Sequence, residues 1–257
     1  YNNIEFPQTV SASINTGVKP DPEKFIRSAS DFLASEGFNE MMNNSLSKSD
    51  YYRQLKTYPA ENSVMIMNPL SSDLNCMRQT LLFSALEVVA YNVNRQTNNL
   101  KLFEFGHVYQ YNPEIVPEDD KSVLKPYSEE QHLSITISGN GSNGWRNRTQ
   151  GGNFFTLKGY VELLFKRYGL NVNSLETIPA PGDLFIEGMT YMANGKELAS
   201  LGQVAAARLK QFGLKQQVYF AQIRWDSLFK LIKKVKVQFK ELPKYPEVKR
   251  DLALLVN

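Results

Sequence analysis

Cysteine occurs once in the 257 residues, at Cys76, so no internal disulfide can form and the count fits a reducing compartment. Cys76 also lacks the neighbouring His, Lys-rich or helix-N-terminal setting that would make a reactive thiolate. Histidine occurs twice, and His107 and His132 stand apart without metal-ligand spacing, which favours structural roles for both. No apolar run approaches the ~20 residues of a membrane helix. There is no Gly-x-Ser-x-Gly elbow. The glycine-rich stretch Gly139-Asn140-Gly141-Ser142-Asn143-Gly144 lacks the Gly-Lys-[Ser/Thr] ending of a phosphate loop and reads as a surface turn. These absences weigh against a self-contained hydrolase or redox enzyme. The start, Tyr1-Asn2-Asn3-Ile4, has no initiator Met and no signal-peptide pattern, and reads as a cut piece or a mature chain.

What the chain has is material for a core. Hydrophobic residues make up 42% and aromatics 12%, which excludes collagenous and wholly disordered classes. The length allows one large domain or two ordinary ones. Net charge is +3, but from Arg224 to Arg250 nine bases face three acids, leaving the remainder at −3. A basic surplus of that kind fits either a solvated helix face and linker or a nucleic-acid footprint, and the former is favoured.

Asp21-Pro22-Glu23 predicts a helix start, with Asp as N-cap and Pro at the first helical position. Phe25, Ile26, Ala29, Phe32 and Leu33 follow at helical spacing, and Gly37 ends the run. Phe38 to Leu46 is expected to be a strand. A helix is expected from about Leu81 to Asn92, a strand over Leu100–Tyr109, an exposed loop over Asn112–Tyr127 and a half-buried strand over His132–Ser138. A helix over Leu157–Tyr168 precedes strands Phe185–Ala193, Leu198–Val204 and Val218–Arg224, the first two joined by an Asn194-Gly195 turn. Asp226–Lys234 closes the series as an amphipathic helix. Elements mix without strict alternation, so the class is α+β with a largely antiparallel sheet.

Two segments carry chemistry. Leu102-Phe103-Glu104-Phe105-Gly106-His107-Val108-Tyr109-Gln110-Tyr111-Asn112 resembles motif 2 of the class II aminoacyl-tRNA synthetases, Phe-Glu-Ile-Gly followed after two residues by Phe-Arg-x-Glu. In that pattern the Arg clamps the ATP α-phosphate and the Glu places the adenine. Here Gln110 takes the Arg position and Asn112 the Glu position, and a neutral amide cannot supply the cation. Gly37-Phe38-Asn39-Glu40-Met41-Met42-Asn43-Asn44 resembles motif 1, the subunit-interface helix and strand, with Asn44 at its proline position. Motif 3 has no faithful match; its place falls over Tyr219–Phe229, with Ser227 near its Arg.

The block Asn68-Pro69-Leu70-Ser71 through Met77-Arg78-Gln79-Thr80-Leu81-Leu82 is very similar to that of the bacterial phenylalanyl-tRNA synthetase β-subunit family. Leu86–Asn92, Lys101–Glu104 and Phe154-Phe155-Thr156-Leu157-Lys158-Gly159 continue the resemblance in order, as does Leu242–Ala253 near the end. Phe83-Ser84 departs from it, where the family has Pro-Gly. The resemblance implies a catalytically degenerate class II antiparallel sheet flanked by helices, occupying residues 11–235. Residues 1–10 would then end a preceding helical domain, and 236–257 would be a linker and the first strand of a ferredoxin-like anticodon-binding domain. It further implies a cytoplasmic, non-membrane (αβ)₂ assembly in which the α subunit carries catalysis. ATP, Mg²⁺ and tRNA(Phe) would serve the complete enzyme, and no catalytic, cofactor-binding or metal residue is assigned to this chain. The α-subunit contact is expected along Pro22–Glu36 and Phe38–Leu46. A stand-alone adenylate-forming enzyme is the rival, and it would need Arg78 or Lys101 to replace Gln110. A third reading is an RNA-binding module using Lys230–Arg250 with Trp145, Arg146 and Arg148.

Overall fold

The computed structural model describes residues 21–119, 122–139, 152–233, 244, 245, 248, 250 and 251. The turn chemistry read from the sequence sets several element ends. Helix α1 (Pro22–Ser35) begins where the Asp21 carboxylate accepts the Glu23 N–H at 3.0 Å, and it stops at Gly37, whose φ of +84° lies in the left-handed region that favours glycine. Strands β1 (Asn39–Glu40), β2 (Leu46–Ser47) and β3 (Cys76–Met77) are two residues each. They precede helix α2 (Leu82–Val93) and the long strands β4 (Leu100–Tyr111) and β5 (Tyr127–Ser138). Helix α3 (Phe154–Arg167), capped by Asn153, leads to β6 (Glu176–Pro179), β7 (Phe185–Ala193) and β8 (Lys196–Val204). Between β7 and β8, Asn194 and Gly195 sit at φ +52° and +72°, the left-handed pair of a two-residue hairpin turn. Helix α4 (Ala206–Gln211), strand β9 (Val218–Arg224) and helix α5 (Trp225–Ile232) follow.

Seven strands form one sheet in the order β1-β4-β5-β9-β8-β7-β6, while β2 and β3 pair separately. Every pair in the main sheet is antiparallel except β1 with β4. Two cores lie on its two faces. Leu133, Ile135 and Ile137 of β5 meet α1, α3 and α5 through Leu33, Val161, Leu164 and Leu228. On the opposite face Leu102, Val108 and Phe220 meet Leu82, Leu86 and Val89 of α2, together with Tyr52 and Leu55 of the irregular segment between β2 and β3. Each such leucine or isoleucine, fully removed from water, stabilises the fold by roughly 1.5–3 kcal/mol.

Two expectations need correction. The strand expected over Phe38–Leu46 exists only as β1 and the start of β2. After Met41 donates its N–H to the Phe103 carbonyl at 2.7 Å, the chain leaves the ladder, because Asn43 turns its backbone and side-chain N–H groups to the Glu104 carboxylate. The strand over His132–Ser138 is buried on both faces rather than one, with Ser134, Thr136 and Ser138 wholly inaccessible. It lies between β4 and β9 with helices on either side, so no face is left for solvent. Trp145, Arg146, Arg148, most of the basic segment beyond Lys233 and residues 1–10 lie outside the described residues.

Candidate functional site

Along β4 side chains alternate faces, so Leu102, Glu104, Gly106, Val108 and Gln110 share the face covered by α2. Strand register extends this pattern across the sheet. Glu104 lies opposite Ser134, Ser134 opposite Gln222, Gln222 opposite Ser200, and Ser200 opposite Thr190. The result is a transverse row of five polar side chains on five strands, none more than 5% exposed. This is the face on which the motif 2 pattern places its arginine.

The chain closes this face with its own residues. Arg78, just after β3, donates Nη1–H to Glu104 Oε1 at 2.8 Å and Nε–H to the His107 carbonyl at 2.9 Å. Asn43 Nδ2 donates to the other carboxylate oxygen at 2.8 Å, so both oxygens are occupied. The guanidinium lies directly over Gly106, where a Cβ would come within 2.2 Å of Arg78 Nη2. Further along the row, Gln222 Oε1 accepts the Thr80 hydroxyl at 2.8 Å and the Leu81 N–H at 2.9 Å. The Tyr58 hydroxyl lies 3.3 Å from Gln222 Nε2, and burial pushes its ionisation up to about 12. Gln79 donates to the Pro59 carbonyl and the Ser63 hydroxyl, and Asp183 accepts the N–H groups of Lys56 and Thr57 and the Thr57 hydroxyl. Segment 43–80 is thereby bonded across the face.

The residues singled out in the sequence separate cleanly in space. Gln110 is half-buried at the rim of a groove of about 550 Å³ that Glu61, Asn112, Glu114 and Lys125 also border. Lys101, one of the two cations that could have replaced an arginine there, points from the opposite face; its Nζ donates to the Glu36 carbonyl at 3.1 Å and the Tyr160 hydroxyl at 2.7 Å. Arg78, the other, is neutralised by Glu104. Ser227 lies on α5 behind the sheet, beside Asn194, Lys196 and Lys230. Asn44, at the motif 1 proline position, accepts the Leu46 N–H at 3.0 Å and so makes the turn by hydrogen bonding. Phe83, where the family has proline, packs with Tyr51, Tyr52 and Phe212.

His107 is exposed. His132 is buried with Nε2 3.2 Å from the Glu130 carboxylate, and that hydrogen bond holds the Glu130 carboxyl below its ordinary range against the opposing effect of burial. Burial pushes the Cys76 thiol up to about 11, which makes it inert at neutral pH. Among the described residues no group of three or more His, Cys, Asp or Glu could hold a metal ion, and no helix is long and apolar enough to cross a membrane. The donor set around Gln110 also does not fit a triphosphate. Two carboxylates, Glu61 and Glu114, outnumber the single Lys125, and the amides of Gln110 and Asn112 carry no charge. The network joining Asn43, Arg78 and Glu104 was not read from the sequence. Its partner at Gln222 had a signal, a lone amide inside the apolar run Val218-Tyr219-Phe220-Ala221-Gln222-Ile223.

The family model for the phenylalanyl tRNA synthetase beta chain CLM domain matches residues 6–225. A phenylalanine–tRNA ligase beta subunit of Bacteroides fragilis is 43% identical over 260 residues, which is 100% of this chain and 32% of that protein. The corresponding protein of Porphyromonas gingivalis is 38% identical over the same span and share. The chain thus spans 32% of the length of these curated relatives. Among solved structures, pyrrolysyl-tRNA synthetase from Desulfitobacterium hafniense superposes with a TM-score of 0.60 at 12% identity, covering 84% of this chain and 70% of that one. At that identity the likeness shows the fold, an α+β class II synthetase-type sheet.

Proposed function

Because this chain belongs to the phenylalanyl-tRNA synthetase β-chain family, in its CLM domain, we propose that it is a non-catalytic module of phenylalanine–tRNA ligase. It supports the ATP-dependent attachment of phenylalanine to tRNA(Phe) by packing against a catalytic α subunit in an (αβ)₂ assembly in the cytoplasm. The module occupies residues 11–235. ATP and Mg²⁺ belong to the α subunit's reaction. One observation carries the reading: segment 43–80 covers the sheet face that would receive a nucleotide, with Arg78 committed to Glu104 and Gln110 standing where the pattern needs a cation. Activation of an amino acid develops charge on the α-phosphate, and the two cations that could have replaced the arginine are both committed, Arg78 to Glu104 and Lys101 to Glu36 and Tyr160 on the opposite face.

The α-subunit contact follows the motif 1 frame. In α1 the apolar side chains Phe25, Ile26, Phe32 and Leu33 pack into the core, so the outward Lys24, Arg27 and Asp31, with the exposed edge of β1, are what a partner meets. Pyrophosphate exchange with phenylalanine, ATP and Mg²⁺ tests the reading. This chain alone is expected to give background exchange, and the α subunit with the full β chain is expected to give turnover. Exchange by this chain alone, abolished by Lys101→Met, would overturn it. Charge-reversing substitutions at Lys24, Arg27 and Asp31 that left α-subunit capture intact would overturn the placement of the contact.

A further inference from the structure

The loops at the far end of the β4–β5 hairpin take no part in the functions assigned above. Exposed large apolar side chains gather there. Met65 and Met67 stand on one loop, Ile115, Val116, Val123 and Leu124 on the other, and Tyr127 beside them at the start of β5. Between the loops runs a groove of two hollows, about 550 and 380 Å³, which share Glu61 and Tyr111. The Tyr111 and Tyr127 rings, 5.2 Å apart, pair at this end of the hairpin. An apolar patch rimmed by polar groups marks an interaction surface, and hollows of this size take side chains.

Charge selects the occupant. From Asn112 to Glu130 six acids face two bases, and from Pro59 to Asn75 the only charged residues are Glu61 and Asp73. The hollows themselves are bordered by Glu61 and Glu114 against the single Lys125, a local acidic surplus that repels a phosphate backbone and attracts a polypeptide carrying Lys or Arg between apolar residues. We propose that this groove docks a basic, apolar segment of the α subunit, as a second contact distinct from the motif 1 edge. The assignment rests on the proposed function, because that reading supplies the partner.

The test uses the full-length β chain and the α subunit. Two surface variants probe the groove: Glu61→Lys with Glu114→Lys, and Met65→Asp with Ile115→Asp. All four side chains are exposed, so thermal melts are expected to match the parent. Sedimentation at low and high salt reads the dissociation constant. The charge-reversed variant is expected to bind the α subunit about tenfold more weakly at low salt, with a flatter salt dependence. The apolar-to-Asp variant is expected to weaken binding at both salts. Hydroxyl-radical footprinting is expected to show Met65, Tyr111 and Tyr127 protected in the complex. Normal binding by both variants, with Tyr127 equally reactive in the complex, overturns the groove assignment and leaves the proposed function standing. Failure of the parent β chain to bind the α subunit overturns both. Protection of Tyr111 and Tyr127 by tRNA(Phe) without the α subunit assigns the groove to RNA and likewise overturns the proposal.

Discussion

Arg78→Ala removes the cation that Glu104 holds at 2.8 Å, and the two side chains are only 4% and 2% exposed. The Coulomb attraction of two unit charges about 4 Å apart, at an effective dielectric of about 20, is near 4 kcal/mol. Breaking a buried pair by deleting one partner costs about 3–5 kcal/mol, since the remaining charge stays out of water. Asn43 would still donate two hydrogen bonds to Glu104, one from its backbone and one from its side chain, which places the expected loss toward the lower end. For a chain of this size that corresponds to a melting point lowered by roughly 6–20 °C. The paired replacement Arg78→Met with Glu104→Leu removes both charges, and Asn43 is near enough to the surface to bond water instead. It is expected to lie within about 1 kcal/mol of the parent. Urea unfolding of the three proteins gives the comparison. A single variant that loses less than ~1 kcal/mol, or a double variant as unstable as the single, would refute the view that charge compensation at Glu104 is what Arg78 provides.

Gly106→Ala drives a Cβ to 2.2 Å from Arg78 Nη2 and 3.0 Å from Leu81 Cδ2, and the pinned guanidinium cannot move aside. A loss of about 1–3 kcal/mol in urea unfolding is expected, and an unchanged midpoint would show the guanidinium to be loosely held. Burial acts to raise the Asp183 carboxyl, but the Thr57 hydroxyl and the N–H groups of Thr57 and Lys56 together hold it below its ordinary value of 3.8. Its stabilisation is therefore complete above that value and is lost as pH falls through the lower folded value. Asp183→Asn should flatten that acid limb of the stability curve, and a parallel curve would exclude the carboxylate as its source. Cys76, buried with its thiol raised to about 11, should resist alkylation at neutral pH and react only as fast as the chain unfolds. Rapid labelling of the native protein would contradict its burial.

Local signals were legible in the sequence where one residue decides the outcome. Asp21 and Pro22 start α1, Asn194-Gly195 turns β7 into β8, and Gly37 and Gly169 end helices at φ +84° and +77°. The segments that misled are those in which a distant partner decides. Nothing near Asn43 reveals that Glu104, 61 residues later, takes its N–H groups and ends β1 after two residues. β6 has every residue exposed at the sheet edge and so carries no apolar alternation, and α4 starts without a capping side chain. The alternation of His132–Ser138 was real, but periodicity reports that two faces differ, not what covers the polar one. Here the cover is α2 and segment 43–80, elements whose placement depends on the whole sheet.

That cover supplies most of the hydrogen bonds that a row of buried polar side chains requires. A polar group withdrawn from water costs about 1–3 kcal/mol if it finds no partner. On this face Glu104 finds Arg78 and Asn43, and Gln222 finds Thr80, the Leu81 N–H and Tyr58. The hydroxyls of Ser134 and Thr136 and Nδ1 of His132 have no protein partner, so the closure is incomplete along β5. A face built only for stability would carry apolar residues at these positions, as the opposite face of β5 does with Leu133, Ile135 and Ile137. Segment 43–80 thus supplies, from within the chain, the hydrogen bonds that Glu104 and Gln222 need on this face. Gln110 fits the same logic. With the face closed by Arg78 and Glu104, an arginine at Gln110 would face Glu61 and Glu114 rather than a phosphate, so restoring the cation alone, by Gln110→Arg, should not restore pyrophosphate exchange.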